Sequence, residues 1–247
     1  MTRYKVTLSY DGTAYHGWQS QKNHVTLQDT IQQAFLLFQP QPVKIMASGR
    51  TDQHVHALNQ VFHFDSDIAM SEEKWKLALN AYLPDDIYIK KVEKAADTFH
   101  ARYDAVKKSY LYLLNMGEYD PFRRDHIYQY NRHLDIEKMQ EAALIFLGEH
   151  DFTSFCSNRI ADTPNQCRTI YNISITVDQD IVRFFFEGNG FMRYMVRMLV
   201  GTLIEVGKNK LTLEQVQGML AAADKTVCHF KAKPEGLYLV SVSYYEN

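Results

Sequence analysis

The fold is decided by residues 4–10, YKVTLSY, in which apolar and polar side chains alternate. A period of two is typical of a strand that is buried on one face. The next dipeptide, Asp11-Gly12, indicates a turn. Further along the chain, apolar residues recur with helical spacing, and Thr26 stands at the expected N-cap of that helix. The apolar positions of this helix, predicted over residues 26–38, are Leu27, Ile31, Ala34, Phe35 and Phe38.

Outward from this start, the pattern of strand and helix is repeated. The first hundred residues continue with strands at 43–47 and 57–64, a helix with Ser71 as its N-cap, and a strand at 87–92. The second part of the chain contains a predicted strand at 109–114, a helix at 135–147, a hairpin formed by 171–177 and 181–187, helices at 191–206 and 212–223, and a final strand at 238–244. This order indicates an internal duplication of a split βαβ unit.

The predicted fold class is therefore α+β. We expect two related split-βαβ halves of the ferredoxin-like or RRM-like kind, residues 1–104 and 105–247. Their antiparallel sheets would meet at a central cleft, with helices on the outer faces. The alternative is a single mixed α+β domain. No segment rich in proline, or in glycine and serine, separates the halves, so the boundary near residue 104 is predicted from the repeat alone.

The net charge of the chain, taken alone, argues against a nucleic-acid partner. The 247 residues carry a formal net charge of −2 and give an isoelectric point near 6.5, whereas phosphate binding needs local excess of Lys and Arg. The two signs are segregated, however. Acidic residues gather in segment 65–97, and the bases lie in other segments that carry unusual motifs, namely Arg50, Arg102, Lys107, Lys108, Arg123, Arg124, Lys231 and Lys233. The prediction is a locally basic cleft on an otherwise neutral to acidic body.

The N-terminus and the cysteines bear on location. The chain enters a strand pattern at once, with neither a signal peptide nor a membrane-spanning stretch, so we expect a cytoplasmic protein without membrane association. Its cysteines, Cys156, Cys167 and Cys228, are odd in number and lack a CxxC spacing. Such cysteines are expected to be reduced thiols rather than disulfides or zinc ligands.

The densest group of unusual residues is segment 48–57, SGRTDQHVHA, between two predicted strands. Its Asp52 allows three interpretations. The carboxylate could cap a turn, as Asp often does. It could act as a nucleophile or as an acid or base. It could also bind a metal together with His54 and His56, although an HxH pair without a further ligand is a weak signal.

Two further segments attract attention. In residues 191–206, apolar side chains form one broad arc with Arg197 at its edge, and this arginine is the one charge between Tyr194 and Ile204. A buried guanidinium needs a partner, which could be a carboxylate or simply a backbone carbonyl. Residues 99–110 alternate bases with aromatic side chains, which suits phosphate contacts and base stacking but also occurs in ordinary strands.

Together, these segments resemble the tRNA pseudouridine synthase A family along nearly the whole chain. The motifs occur in the family's order. They are Tyr10-Asp11-Gly12, Gly17-Trp18-Gln19, Gly49-Arg50-Thr51-Asp52, Val55-His56-Ala57, Phe99-His100-Ala101-Arg102, Lys108-Ser109-Tyr110, His150-Asp151-Phe152, Met195-Val196-Arg197 and Gly236-Leu237-Tyr238-Leu239.

The resemblance implies an isomerase that converts uridine to pseudouridine at positions 38–40 of the tRNA anticodon stem-loop, without metal or cofactor. It assigns Asp52 as the catalytic carboxylate and Arg197 as the cation that keeps a carboxylate ionised in a water-poor pocket. Tyr110 matches the active-site tyrosine that stacks on the target base. Arg50 matches the arginine that fills the space left by the extruded nucleotide. The resemblance also implies a homodimer.

Some residues depart from the family pattern. Gln53 and His54 stand where the family has Ala-Gly, and Asn59 stands where it has Gly. His and Asn tolerate a positive φ better than most residues, so the loop is expected to keep its course. Lys231 and Lys233 replace a common Thr and Pro. These changes are consistent with a diverged paralogue, and they leave open a catalytically weakened tRNA-binding or tRNA-folding protein as the alternative function.

Overall fold

The computed structural model describes residues 1–39 and 41–245. Within them the protein is mixed α+β, with ten mostly antiparallel strands and five α-helices. Its strands are β1 (Thr2–Tyr10), β2 (Met46–Ala47), β3 (His56–Ser66), β4 (Ile87–Ala95), β5 (Ala105–Asn115), β6 (Tyr128–Gln129), β7 (Gly148–Asp151), β8 (Cys167–Asp178), β9 (Ile181–Gly188) and β10 (Leu237–Tyr244). Its helices are α1 (Leu27–Leu36), α2 (Glu72–Tyr82), α3 (Ile136–Leu144), α4 (Met195–Gly207) and α5 (Leu213–Ala222).

All the predicted helices and strands are present, with shifted ends. The strand predicted at 43–47 is reduced to β2, and the predictions did not include β6 or β7. Two compact units divide the chain, one with residues 1–106 and the chain from residue 238 onward, the other with residues 107–237. Of the helices in the described ranges, none has the length and apolar character needed to cross a membrane.

In the first unit, β1 lies between β4 and β3 and pairs antiparallel with both. The short β2 pairs antiparallel with β3. The alternation predicted for β1 is confirmed, because Tyr4, Val6, Leu8 and Tyr10 are buried. The helices α1 and α2 add apolar side chains to the same core, including the fully buried Trp75. The N-caps predicted from sequence are present, since Thr26 and Ser71 each accept a backbone N–H from the first turn.

The final strand packs in this first unit. Tyr238 and Leu239 of β10 pair in parallel with His56 and Ala57 of β3. The side-chain amide of Asn59 also donates to the Val240 carbonyl at 2.8 Å. The sequence-based boundary placed β10 in the half 105–247, but its contacts group it with residues 1–106. Residues 246 and 247 of that half lie outside the described residues.

In the second unit, strands β5, β9, β8 and β7 are neighbours in that order and pair antiparallel. Tyr112, Phe184 and Phe186 are fully buried on one face of this sheet. The helix α4 differs from its prediction. It begins at Met195 rather than at residue 191, and it is buried on nearly every side rather than along one arc. A helix that is apolar all round is expected in a core.

Candidate active site

The loop that carries Asp52 connects β2 to β3 and is held on the N-terminal side of the aspartate by Thr51. The Thr51 hydroxyl is 2.8 Å from the Tyr10 hydroxyl, and its carbonyl accepts the Trp18 N–H at 3.1 Å. Thr51 and both aromatic residues are buried. Burial also raises the pKa of Tyr10, so that its hydroxyl stays protonated. Asp52 itself is partly exposed and therefore accessible to a substrate.

A second network fixes the start of the loop. The Ser48 hydroxyl donates to Gln60 Oε1 at 2.7 Å, and Gln60 Nε2 donates to the Gly49 carbonyl at 3.1 Å. Both Ser48 and Gln60 are fully buried. Buried polar groups that are bonded in this way hold a unique conformation, because breaking one bond leaves a buried polar atom without a hydrogen-bond partner. Arg50, one residue beyond this network, is exposed.

The chain turns sharply just after Asp52. The Val55 N–H donates to the Asp52 carbonyl at 3.2 Å, so the main chain itself closes this turn. His54 has a φ of 63°, in the left-handed region, and its Nδ1 is 2.8 Å from the Thr13 carbonyl. The expectation that His54 accommodates a glycine-like conformation is confirmed. Asn59 has no positive φ to accommodate, because it lies within β3, where its side chain binds β10.

The packing beneath this turn depends on Gly17. It has a φ of 88°, and a Cβ added there would lie 2.7 Å from the Thr51 carbonyl oxygen. A glycine is required on both counts, since backbone atoms cannot approach so closely to a side chain. The motif Gly17-Trp18-Gln19 therefore packs directly against the backbone of the loop that carries Asp52.

The structure does not form the metal site proposed for Asp52, His54 and His56. Their ligand atoms do not constitute a group within 4.8 Å of one another among residues 1–39 and 41–245. The His56 ring instead serves the fold. Its Nδ1 accepts the Gly12 N–H at 3.1 Å and lies 3.1 Å from Asp11 Oδ1, and the ring stacks on Tyr238. That interpretation is wrong, because the turn sends the two histidines to different backbone partners.

In the second unit, Tyr110 lies on β5 and is half-buried. It faces Phe186 across the sheet and contacts Phe191 edge to face, with ring centroids 5.2 Å apart. Two residues along the same face, Tyr112 is fully buried, and its hydroxyl donates to the Lys233 carbonyl at 2.8 Å. The Tyr110 ring is thus fixed by aromatic neighbours while part of it stays accessible.

Arg197 lies in the first turn of α4 and is 8% exposed. Its Nε donates to the Ala232 carbonyl at 2.9 Å, and the Ala232 N–H donates back to the Arg197 carbonyl at 2.9 Å. The backbone-carbonyl interpretation of Arg197 is thus confirmed for one of its five N–H donors. Segment 230–232 can approach the helix closely because Gly201, one turn later, has no side chain.

Tyr194 is a further candidate, which the sequence pattern did not single out because its spacing predicts a position inside a helix. Tyr194 precedes α4 with a φ of 63°. Its ring centroid lies 4.8 Å from Arg193 Cζ, 5.2 Å from Arg197 Cζ and 4.4 Å from Lys231 Nζ. The signal available in the sequence was an aromatic residue among closely spaced arginines, but the contribution of Lys231 depends on tertiary structure.

Comparison with known proteins gives the family. The profile of a family described as tRNA pseudouridine synthase matches residues 7–104 and 142–245. The chain belongs to the tRNA pseudouridine synthase A family. A protein of that name from Exiguobacterium sp. is 45% identical over 99% of this chain and 98% of its own length. The corresponding protein of Bacillus subtilis is 40% identical over 99% of this chain and 100% of its own, and tRNA pseudouridine synthase A 1 of Bacillus cereus is 44% identical over 99% of both.

This membership confirms the resemblance drawn from the ordered motifs and makes the protein an enzyme of the pseudouridine synthase class. Of the four residues that the resemblance singled out, Arg50 and Asp52 share one loop of the first unit. Tyr110 and Arg197 belong to the second unit, on β5 and α4.

Proposed function

We propose that this protein isomerises uridine to pseudouridine at positions 38–40 of the tRNA anticodon stem-loop, with Asp52 as the nucleophile. The observation that carries the proposal is the match to tRNA pseudouridine synthases along almost the whole chain, together with the construction of the Asp52 loop. The loop is held by buried hydrogen bonds on one side of Asp52 and by a backbone turn on the other. A carboxylate held in this way is pre-organised for reaction.

The reaction rearranges bonds without a change in composition. The glycosidic bond between C1′ and N1 breaks, the uracil turns while it is held, and a bond forms between C1′ and C5. The proton leaves C5, and N1 ends with a proton of its own. Asp52 acts as a nucleophile on the sugar or on the base ring, which divides a difficult exchange into two easier steps.

The other residues take supporting roles. Arg197 supplies the positive charge that keeps the Asp52 carboxylate ionised, a role that suits a guanidinium that is nearly buried. Tyr110 stacks on the target base and assists the removal of the C5 proton. Arg50, which is exposed, fills the space that the extruded nucleotide leaves in the stem. No cofactor is required for this chemistry.

The predicted architecture accompanies this function. We propose that residues 1–104 and 105–247 are related split-βαβ halves, supported in the first by the order β4, β1, β3, β2 with a helix after β1 and after β3. The family resemblance supports antiparallel sheets that meet at a cleft, helices on the outer faces, a cytoplasmic location and a homodimer. Light scattering tests the homodimer, because a measured mass equal to that of one chain contradicts it.

The central test is release of tritium from an unmodified tRNA transcript labelled at uracil C5. We expect the wild-type protein to release tritium in EDTA and Asp52→Asn to release none. Asp85→Asn removes an exposed carboxylate elsewhere in the same unit and should keep full activity. Tight binding of tRNA by a wild-type protein that releases no tritium would favour the tRNA-folding alternative, which the altered Gln53 and His54 motivate. Mapping of pseudouridine in the product then tests positions 38–40.

Arg197 is tested by the pH dependence of the same assay. Arg197→Met should lower kcat and require a higher pH for activity, since loss of the cation favours a protonated carboxylate. Arg197→Lys keeps a positive charge and should restore part of the lost activity at low pH. Undiminished activity of Arg197→Met would contradict the assigned role.

A further inference from the structure

The cluster formed by Arg193, Tyr194, Arg197 and Lys231 has a feature that catalysis at Asp52 leaves unexplained. Three cations lie within 5.2 Å of the centroid of one tyrosine ring. An aromatic ring attracts cations to its faces, but positive charges gathered around it repel each other. Such an arrangement is suited to an anion that neutralises the excess charge.

Two of these cations are available to a ligand. Arg193 and Lys231 are exposed, and no carboxylate pairs with either side chain anywhere in residues 1–39 and 41–245. The interactions that the structure gives them are with Tyr194, since Arg193 Nη2 donates to the Tyr194 hydroxyl at 3.0 Å and Lys231 Nζ lies over the ring. Some other exposed bases of the chain do have acidic partners, as Lys91 has in Glu93 and Arg183 has in Asp178.

The backbone holds this cluster in place. The Arg193 N–H donates to Asn158 Oδ1 at 2.7 Å, and the Ser157 N–H donates to the Arg193 carbonyl at 3.1 Å. The Tyr194 carbonyl accepts the Met198 N–H of α4 at 2.9 Å, and the Met195 N–H donates to the Met192 carbonyl at 3.0 Å. On the other side, Ala232 fixes the chain next to Lys231 through its two bonds to Arg197. The cations are therefore presented from rigid backbone.

We propose that Arg193 and Lys231, arranged around Tyr194, bind a backbone phosphate of the RNA substrate. Guanidinium and ammonium groups both bind phosphate oxygens through charge-assisted hydrogen bonds. Because Arg197 contacts the same ring, a phosphate bound here lies next to the arginine that the proposed function uses. The inference rests on that function, since it takes the anion from the RNA on which the enzyme acts.

The test is the salt dependence of binding to an unmodified tRNA transcript. Each phosphate contact contributes about 0.7–0.9 to the slope of log K against log salt. Lys231→Met should lower the slope by about that amount and weaken binding about five- to eightfold at 0.1 M salt, with little effect near 1 M. Arg193→Met combined with Lys231→Met should remove about two contacts and weaken binding about 25- to 60-fold at 0.1 M salt.

The matched control is Lys210→Met, which removes another exposed lysine of the same unit and should leave both slope and affinity unchanged. Thermal unfolding of each variant shows that it is folded. A slope for Lys231→Met equal to that of Lys210→Met overturns the phosphate site. If that result comes with tritium release by the wild type, the proposed function stands. If the wild type releases no tritium but the slope changes as expected, the phosphate site stands and the isomerase proposal falls.

Discussion

The replacement of Gly201 by alanine tests how closely α4 must approach segment 230–232. A Cβ at this position would lie 2.8 Å from the Lys231 nitrogen and 2.9 Å from the Phe230 carbonyl carbon. Both are backbone atoms, so the contact cannot be relieved by turning a side chain. The segment must move away from the helix, and this movement strains the two hydrogen bonds between Arg197 and Ala232.

The expected loss of stability follows from three terms. Overpacking in a tight core costs about 1–3 kcal/mol. The two hydrogen bonds contribute about 1 kcal/mol each and are weakened or lost. Alanine has a higher helix propensity than glycine, which returns about 1 kcal/mol. The net expectation for Gly201→Ala is a loss of about 1–3 kcal/mol if the two bonds are weakened by half, and about 2–4 kcal/mol if both are lost. Each kcal/mol lowers the melting temperature by about 2–4 °C in a protein of this size.

Gly218→Ala provides a matched comparison in the neighbouring helix α5. A Cβ there meets nothing within 4 Å, and the residue is exposed. Alanine should therefore stabilise the protein by about 0.5–1 kcal/mol, through helix propensity alone. Urea unfolding measures both variants, and tritium release measures their activity. If Gly201→Ala is as stable and as active as Gly218→Ala, close packing of segment 230–232 on α4 does not position Arg197, and the reasoning is refuted.

Three further perturbations test the first unit. Gly17→Ala places a Cβ against the Thr51 carbonyl and forces an unfavourable φ, so kcat should fall through displacement of Asp52 while a folded protein is still seen by circular dichroism; unchanged kcat would speak against this support. Tyr10→Phe removes the buried partner of the Thr51 hydroxyl and should reduce the free energy of unfolding in urea by about 1–3 kcal/mol, whereas a neutral result would mean that the hydroxyl finds another partner. Burial lowers the pKa of His63 from 6.5 to about 4, so the unfolded chain binds the proton more readily than the folded protein does. The free energy of unfolding should therefore decline as the pH falls from 6.5 to about 4, and His63→Gln should flatten this part of the plot of stability against pH. If the variant shows the same pH dependence as the wild type, other groups cause it.

Local patterns in the sequence were sufficient for much of the fold. The alternation in residues 4–10 predicts β1, and the hydroxyls of Thr26 and Ser71 mark the starts of α1 and α2. These features are local, because side-chain periodicity and N-caps depend on neighbours within a few residues. The ordered motifs likewise led to the family, since they require only residue identity and spacing.

Local patterns failed where distant segments meet. The sequence pattern predicts that residues 191–194 are helical. In the structure the backbone of Arg193 bonds to segment 157–158, Tyr194 has a φ of 63°, and the helix begins at Met195. The sequence pattern predicts that α4 is buried along one arc, but in the structure it is buried on nearly every side. The position of β10 beside β3 depends on pairing between residues that are about 180 apart in the chain, as Asn59 and Val240 show.

The sequence by itself determined the class of fold, the order of helices and strands, the family, and the candidates Asp52, Tyr110, Arg197 and Arg50. Tertiary structure decided the surroundings of these residues. It sends His54 and His56 to separate backbone partners and brings Lys231 to the Tyr194 ring across 37 residues of chain. The physical reason is that a contact between distant segments depends on how the intervening elements pack, and no short sequence pattern encodes that packing.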